Sequence, residues 1–184
     1  MSVRYDVHPG DKYYVDNIEV HVKDSSIARE MEGIADGTYL KKGMPFDANL
    51  LNEERSRITN YLTENGYYAF NRDFIRYEVD TVKGSTLVRL KMIVSEHIDP
   101  TDNSHSPHRK YRIGDVKYSY DRSTGSPIWL RTNVLKRSNS LIPGDMYRDS
   151  NLSDTYARLN RLGAVASTNV RLEPNKRDSS LLDA

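Results

Sequence analysis

The sequence contains no cysteine, and that one absence removes disulfides, thiolate metal centres, thiol nucleophiles and iron–sulfur clusters together. An oxidising compartment does not require disulfides, so the compartment stays open on this count. Net charge is nearly absent as well: 27 Lys+Arg against 26 Asp+Glu leave a formal +1. Without a basic excess there is no field to neutralise phosphates, and a nucleic-acid partner is not expected. No run approaches the roughly 18 apolar residues of a membrane-spanning helix. The opening Met1-Ser2-Val3-Arg4-Tyr5 is not a basic stretch leading into an apolar one. Also missing are the strings that carry common chemistry, namely the G-x-S-x-G elbow, G-x-G-x-x-G, the P-loop and H-E-x-x-H. The carboxylates fall singly on predicted solvent faces, so neither an enzyme nor a cofactor is expected.

What is present is the composition of a folded chain, 37% hydrophobic and 29% charged over 184 residues, long enough for one domain or two small ones. Internal similarity favours two. Lys12-Tyr13-Tyr14-Val15-Asp16-Asn17-Ile18 is answered 98 residues later by Lys110-Tyr111-Arg112-Ile113-Gly114-Asp115-Val116. Gly43-Met44-Pro45-Phe46 is answered after 101 by Gly144-Asp145-Met146-Tyr147, and Asn65-Gly66 after 97 by Leu162-Gly163. Three markers in one order at nearly one offset point to two copies of a unit.

In the first copy, Ile18, Val20 and Val22 alternate with Asn17, Glu19, His21 and Lys23, the period of a half-buried strand. Asp24 and Ser25 can cap a short helix carrying Ile27, Met31 and Ile34 on one side. A longer helix opens at Asp47, carries Leu51, Ile58 and Leu62, and closes at Gly66, which suits a left-handed terminus. Two strands follow, Phe74 to Val79 and Val88 to Val94, joined near Lys83-Gly84 as an antiparallel hairpin. The segment from Ser95 to Arg109 is polar, holds Pro100 and Pro107 and has no period, so it reads as a linker. The second copy predicts a strand over Tyr111 to Tyr120, a helix entered through Ser126-Pro127 with Leu130, Val134 and Leu141, and a helix from about Asp149 to Leu162. A strand at Val170 and Leu172 and the start of another at Leu181-Leu182 complete it.

The predicted fold class is therefore α+β: two tandem β-α-α-β-β units, each with two helices on a three-stranded mixed sheet, the second incomplete. Its boundaries are a preceding element over 1–10, a first domain over 11–95, a linker over 96–109 and a second domain over 110–184. Helices between the first strand and the hairpin favour parallel pairing of the first and third strands with a right-handed crossover, which leaves the second strand on an edge.

This order, the glycine-x-x-aromatic before the longer helix (Gly43 to Phe46, Gly144 to Tyr147) and the Gly66-Tyr67 pair that closes it resemble the POTRA repeats of the Omp85 family, the BamA- and TamA-like outer-membrane assembly and translocation proteins. The stretch Tyr5-Asp6-Val7-His8-Pro9-Gly10 is similar to the seam between two such repeats. Gly163-Ala164-Val165 departs from the pattern, since an aromatic usually follows that glycine. The resemblance implies a module on the periplasmic face of the outer membrane, in a parent chain carrying a C-terminal β-barrel of which nothing is present here. The implied partners are unfolded outer-membrane proteins, accessory periplasmic proteins or lipoproteins, and that barrel.

On this reading the client-binding candidate is the edge strand Phe74, Ile75, Arg76, Tyr77, Glu78 and Val79, which would receive extended segments by strand addition. The alternatives are an edge protected by a neighbouring repeat or by the charges of Arg76 and Glu78, and a scaffold that spaces the barrel from its partners without client contact. Gly43, Gly66, Gly144 and Gly163 are assigned to turns and caps. Tyr67, Tyr68 and Phe70 are expected in the core, while 13 tyrosines against 3 phenylalanines, and Trp129, leave aromatics available as surface anchors. His97, His105 and His108 lie near Asp99 and Asp102, but without a recognised ligand spacing no metal site is assigned.

Overall fold

The computed structural model describes residues 3–5, 10–98, 103–119, 131–162 and 168–184. They form two compact units, one of Met1–Ile58 with Asn71–Ser106 and the other of Thr59–Phe70 with Pro107–Ala184. The expected features at Asp6 to Pro9, Asp99, Asp102, Tyr120, Ser126-Pro127, Trp129, Leu130 and Gly163-Ala164-Val165 lie outside the described residues.

The first unit opens with β1 (Tyr14–Val22) and α1 (Ser25–Gly33), the latter started by the Asp24 carboxylate, which accepts from the Ser26 and Ile27 amides. Helix α2 (Ala48–Glu64) follows the Asp47 side chain, which accepts from Asn49 N–H at 2.8 Å. Strands β2 (Ile75–Thr81) and β3 (Leu87–Val94) complete a three-stranded sheet with the order β1-β3-β2. The central β3 is parallel to β1 and antiparallel to β2, the topology that the helical crossover demands. Val88, Leu90, Met92 and Val94 are all buried. Val88 and Leu90 cluster with Val15, Leu40 and Leu51, and Ile18, Phe46, Leu50 and Tyr77 pack around them. Each such buried aliphatic side chain contributes about 1.5–3 kcal/mol. The other face is polar, with Lys91 aligned between Glu19 and Glu78.

Phe74, expected as the first residue of the second strand, instead ends a 3-10 turn (Arg72–Phe74) begun by the Asn71 side chain on the Asp73 amide. The ladder starts at Ile75 and runs on to Thr81. The segment expected to be an aperiodic linker holds a small antiparallel ladder, β4 (His97–Ile98) with β5 (His105–Ser106). Two rungs are too few for a period of two to show in sequence.

The second unit repeats the topology in β6 (Arg112–Ile113), α3 (Thr132–Ser138), α4 (Asp149–Asn160), β7 (Glu173–Pro174) and β8 (Leu181–Asp183), with sheet order β6-β8-β7. Ile113, Leu141, Tyr147 and Leu182 form its core. Three expectations are corrected here. The first strand has two ladder residues rather than ten; beyond it the pairing continues as separate bonds, Gly114 N–H to Leu182 O and Lys117 N–H to Ala184 O, both 2.7 Å. Leu141 is not on the helix, because the Asn139 side chain bonds both the N–H and the carbonyl of Leu141 and turns the chain after Ser138. Val170 and Leu172 precede the ladder instead of forming it, since the Tyr156 hydroxyl satisfies both the amide and the carbonyl of Val170.

Candidate interaction edge

The glycine-x-x-aromatic motif has the same hydrogen bonds in both units. Gly43 N–H donates to Val15 O, Val15 N–H to Met44 O and Phe46 N–H to Tyr13 O; Gly144, Ile113, Asp145, Tyr147 and Tyr111 repeat them, all between 2.7 and 2.9 Å. Gly43 (φ 82°) and Gly144 (φ 90°) hold the left-handed conformation that brings the loop back onto the strand. The consequence for the sheet is asymmetric. This loop covers the outer edge of β1 at its N-terminal end, whereas among the described residues β2 pairs with β3 alone.

Which β2 groups face outward follows from the ladder. Ser95 N–H bonds Phe74 O and Val82 N–H bonds Leu87 O, so the even-numbered residues of β2 form the hydrogen-bonded pairs with β3. Antiparallel pairs alternate, and the backbones of Ile75, Tyr77, Val79 and Thr81 therefore point away from β3. Ile75 N–H is taken by Arg72 O, which leaves Tyr77, Val79 and Thr81 as complete outward rungs. Of the six residues expected at this edge, Tyr77 and Val79 present main-chain donors outward, Ile75 only its carbonyl, and Phe74 lies in the preceding turn. Arg76 and Glu78 spend their backbone on β3, and their side chains lie on the polar face, where Glu78 meets Lys91 at 3.5 Å.

Two of the three outward rungs carry side chains of the core face. Val79 is 39% exposed, and Tyr77 packs half-buried on the core beneath the Arg55 guanidinium, 5.4 Å from the ring centroid. The Tyr77 hydroxyl has no hydrogen-bond partner among the described residues. Burial, with the Glu54 charge second, pushes its phenol well above the usual range, so the ring stays neutral.

Behind this edge stands a pair that sequence reasoning missed. Glu54, 1% exposed, accepts from the Tyr39 amide (3.0 Å) and from Arg57 Nε (3.0 Å) and Nη2 (2.7 Å), while Arg57 Nη1 donates to Ile34 O (3.1 Å). Burial alone would raise the Glu54 carboxyl, but the hydrogen bonds from Arg57, Tyr39 and Thr38 together outweigh it and hold the group below the usual carboxylate value. The clue in sequence was a Glu-x-x-Arg spacing on the side of α2 expected to face solvent.

The histidines do not converge. His97 stacks near Phe74, His105 lies 3.7 Å from Glu96, and buried His108 packs on Phe70 within the second unit. No group of three or more potential ligands that could hold a metal occurs among the described residues. Tyr68 joins the core of the second unit edge-on to Tyr111 and Tyr147 at 5.9 and 5.1 Å, and Tyr67 and Phe70 are buried. Gly66 (φ 98°) closes α2, with Tyr67 N–H reaching back to Leu62 O, and a side chain there would also strike Met146 Sδ.

No protein-family model and no curated protein matches the chain. Solved structures do. POTRA domains 3–5 of BamA from Haemophilus influenzae superpose with a TM-score of 0.61 at 14% identity, over 93% of this chain and 59% of that one. BamA from Haemophilus ducreyi lacking POTRA domains 1–3 gives 0.66 at 16% identity, over 93% of this chain and 28% of that one. The fold is that of POTRA domains. The glycine-x-x-aromatic loop is the hydrogen-bonded seam between the first strand of each unit and the entry to its longer helix. The chain spans about three fifths of the first of these structures and under a third of the second. No helix among the described residues is long and apolar enough to cross a membrane.

Proposed function

We propose that this chain is a periplasmic binding module of an outer-membrane protein assembly or translocation factor, and that it holds extended client segments by strand addition along β2. One observation carries the reading: the outward rungs of Tyr77, Val79 and Thr81 lie on an edge that pairs with no other strand or loop among the described residues, while the opposite edge is bonded at its N-terminal end by its own loop. Main-chain bonding gives affinity with little sequence demand, which suits a receiver of many different clients. The work is binding rather than chemistry. Unfolded outer-membrane proteins, accessory lipoproteins and a barrel in the same parent chain are the partners this reading calls for. It draws support from the similarity of its fold to the POTRA-containing BamA structures.

Titration of the isotopically labelled chain with a peptide of alternating apolar residues, matching one strand of a membrane β-barrel, tests it. Amide shifts concentrated at Tyr77, Val79 and Thr81, with slowed exchange of their amide hydrogens, are the expected result. Shifts nowhere along Ile75–Thr81 would remove client binding from this edge and leave a scaffold that spaces other parts of the parent protein.

A further inference from the structure

The two units treat one equivalent position differently. In both, a side chain on the longer helix accepts from an amide in the loop before it: Glu54 from Tyr39 N–H at 3.0 Å, and Thr155 from Ser140 N–H at 2.9 Å. An arginine follows three residues later in each, Arg57 and Arg158. In the first unit the Glu54 carboxylate takes that arginine in a two-point contact, and the Arg57 side chain is only 20% exposed. In the second the carboxylate is missing, because Thr155 is too short and already bonded to Asn139 and to the Asn151 carbonyl. Arg158 is 53% exposed, and its one ion pair among the described residues is with Asp154, itself 62% exposed, at 4.0 Å.

Beside Arg158 and the Thr155 partners Asn139, Ser140 and Asn151 there is a cleft of about 600 Å³. Ser140, Arg148, Asn151 and Arg158 line it, Ile142 (57% exposed) lies at its rim, and Asp145 and Asp154 complete its charges. The Ser140 hydroxyl is buried with no hydrogen-bond partner among the described residues. We infer that this cleft receives a side-chain carboxylate from an acidic segment of a partner protein, with Arg158 holding it as Arg57 holds Glu54, Ser140 Oγ donating to it and Arg148 adding a second positive charge. An apolar residue beside the acid would cover Ile142. The long, exposed contact to Asp154 is weak and easily exchanged, so an incoming carboxylate with two-point geometry displaces it. This site is independent of the β2 edge.

The test uses the labelled 184-residue chain and a short peptide capped at both ends, Leu-Glu-Leu at its centre, against its Leu-Gln-Leu twin. Expected are shifts at the Ser140 and Asn151 amides and at Arg158 Nε with the Glu peptide, weakened about tenfold or more for the Gln twin. Thr155→Glu, which supplies the internal carboxylate, and Arg158→Gln, a change at an exposed position, should each remove those shifts. Equal shifts from both peptides, shifts confined to Tyr77, Val79 and Thr81, no shifts at all, or unaltered binding by Arg158→Gln would each overturn the inference. Since the strand-addition reading is scored on the β2 amides and this one on residues 140–158, either can fail alone.

Discussion

Among single residues, Glu54 is a buried acid of the first unit held by a two-point contact to Arg57. Its carboxylate is buried and lies below its ordinary value, which ties stability to pH with a definite sign. A depressed carboxyl contributes stability that is present above the unfolded-state value, near 4.3, and lost as pH falls through the folded value. Glu54→Gln keeps the shape but leaves Arg57 without its counter-charge, a change expected to cost about 2–4 kcal/mol at pH 7. It should also flatten the fall in stability below about pH 5. Urea midpoints of both proteins from pH 7 to pH 3 check this, and parallel pH profiles would contradict it. Beyond the Glu-x-x-Arg spacing none of this was legible in sequence. Glu54 sits among charged neighbours on an amphipathic helix, and what sets it apart is an amide fifteen residues away. The glycines were legible because their constraint is local: Gly43, Gly66 and Gly144 hold conformations that side chains rarely adopt.

At the scale of elements, readability followed strand length. β1, β2 and β3 have seven to nine residues each, enough for alternation to reveal which face is buried. The ladders β6 and β7 have two residues each. There the backbone is satisfied by the Tyr156 hydroxyl, the Asn139 amide and single bonds to β8, none of which leaves a periodic signature. The outward rungs of β2 were also hidden, because they depend on which residues pair with β3. That alternation makes two neighbouring prolines diagnostic. Val79→Pro removes an outward donor and no bond to β3, so it should cost little stability while lowering strand-peptide affinity about tenfold or more. Glu78→Pro removes a ladder bond and should destabilise the sheet by about 1–3 kcal/mol. Peptide titration followed by thermal unfolding of both variants separates the effects, and full peptide affinity in a folded Val79→Pro would show that the outward rungs are not used.

Over the whole chain, the sequence markers divide the copies within 96–109, whereas contacts group 59–70 with 107–184. The reason is chemical. Tyr67-Tyr68-Ala69-Phe70 is apolar without a period, so nothing in it says which core it fills. Gly66 O accepts from Tyr111 N–H at 2.8 Å, Tyr68 lies edge-on to Tyr111 and Tyr147, and Phe70 stacks on His108. The Glu64 carboxylate accepts from both the amide (2.6 Å) and the hydroxyl (2.7 Å) of Ser150, in the first turn of α4, a helix whose own N-cap residue Arg148 makes no side-chain cap. An anionic cap at a helix start is worth about 1 kcal/mol, and burial of each large aromatic about 1.5–3 kcal/mol. Their sum approaches the 5–15 kcal/mol that holds a whole domain together. Residues 107–184 alone should therefore show weak near-ultraviolet ellipticity and a broad urea transition, and 59–184 should recover a cooperative one. Glu64→Ala in the longer piece should lower stability by about 1 kcal/mol without broadening the transition. A cooperative transition in 107–184 equal to that of 59–184 would mean that the second unit needs nothing from the helix before it.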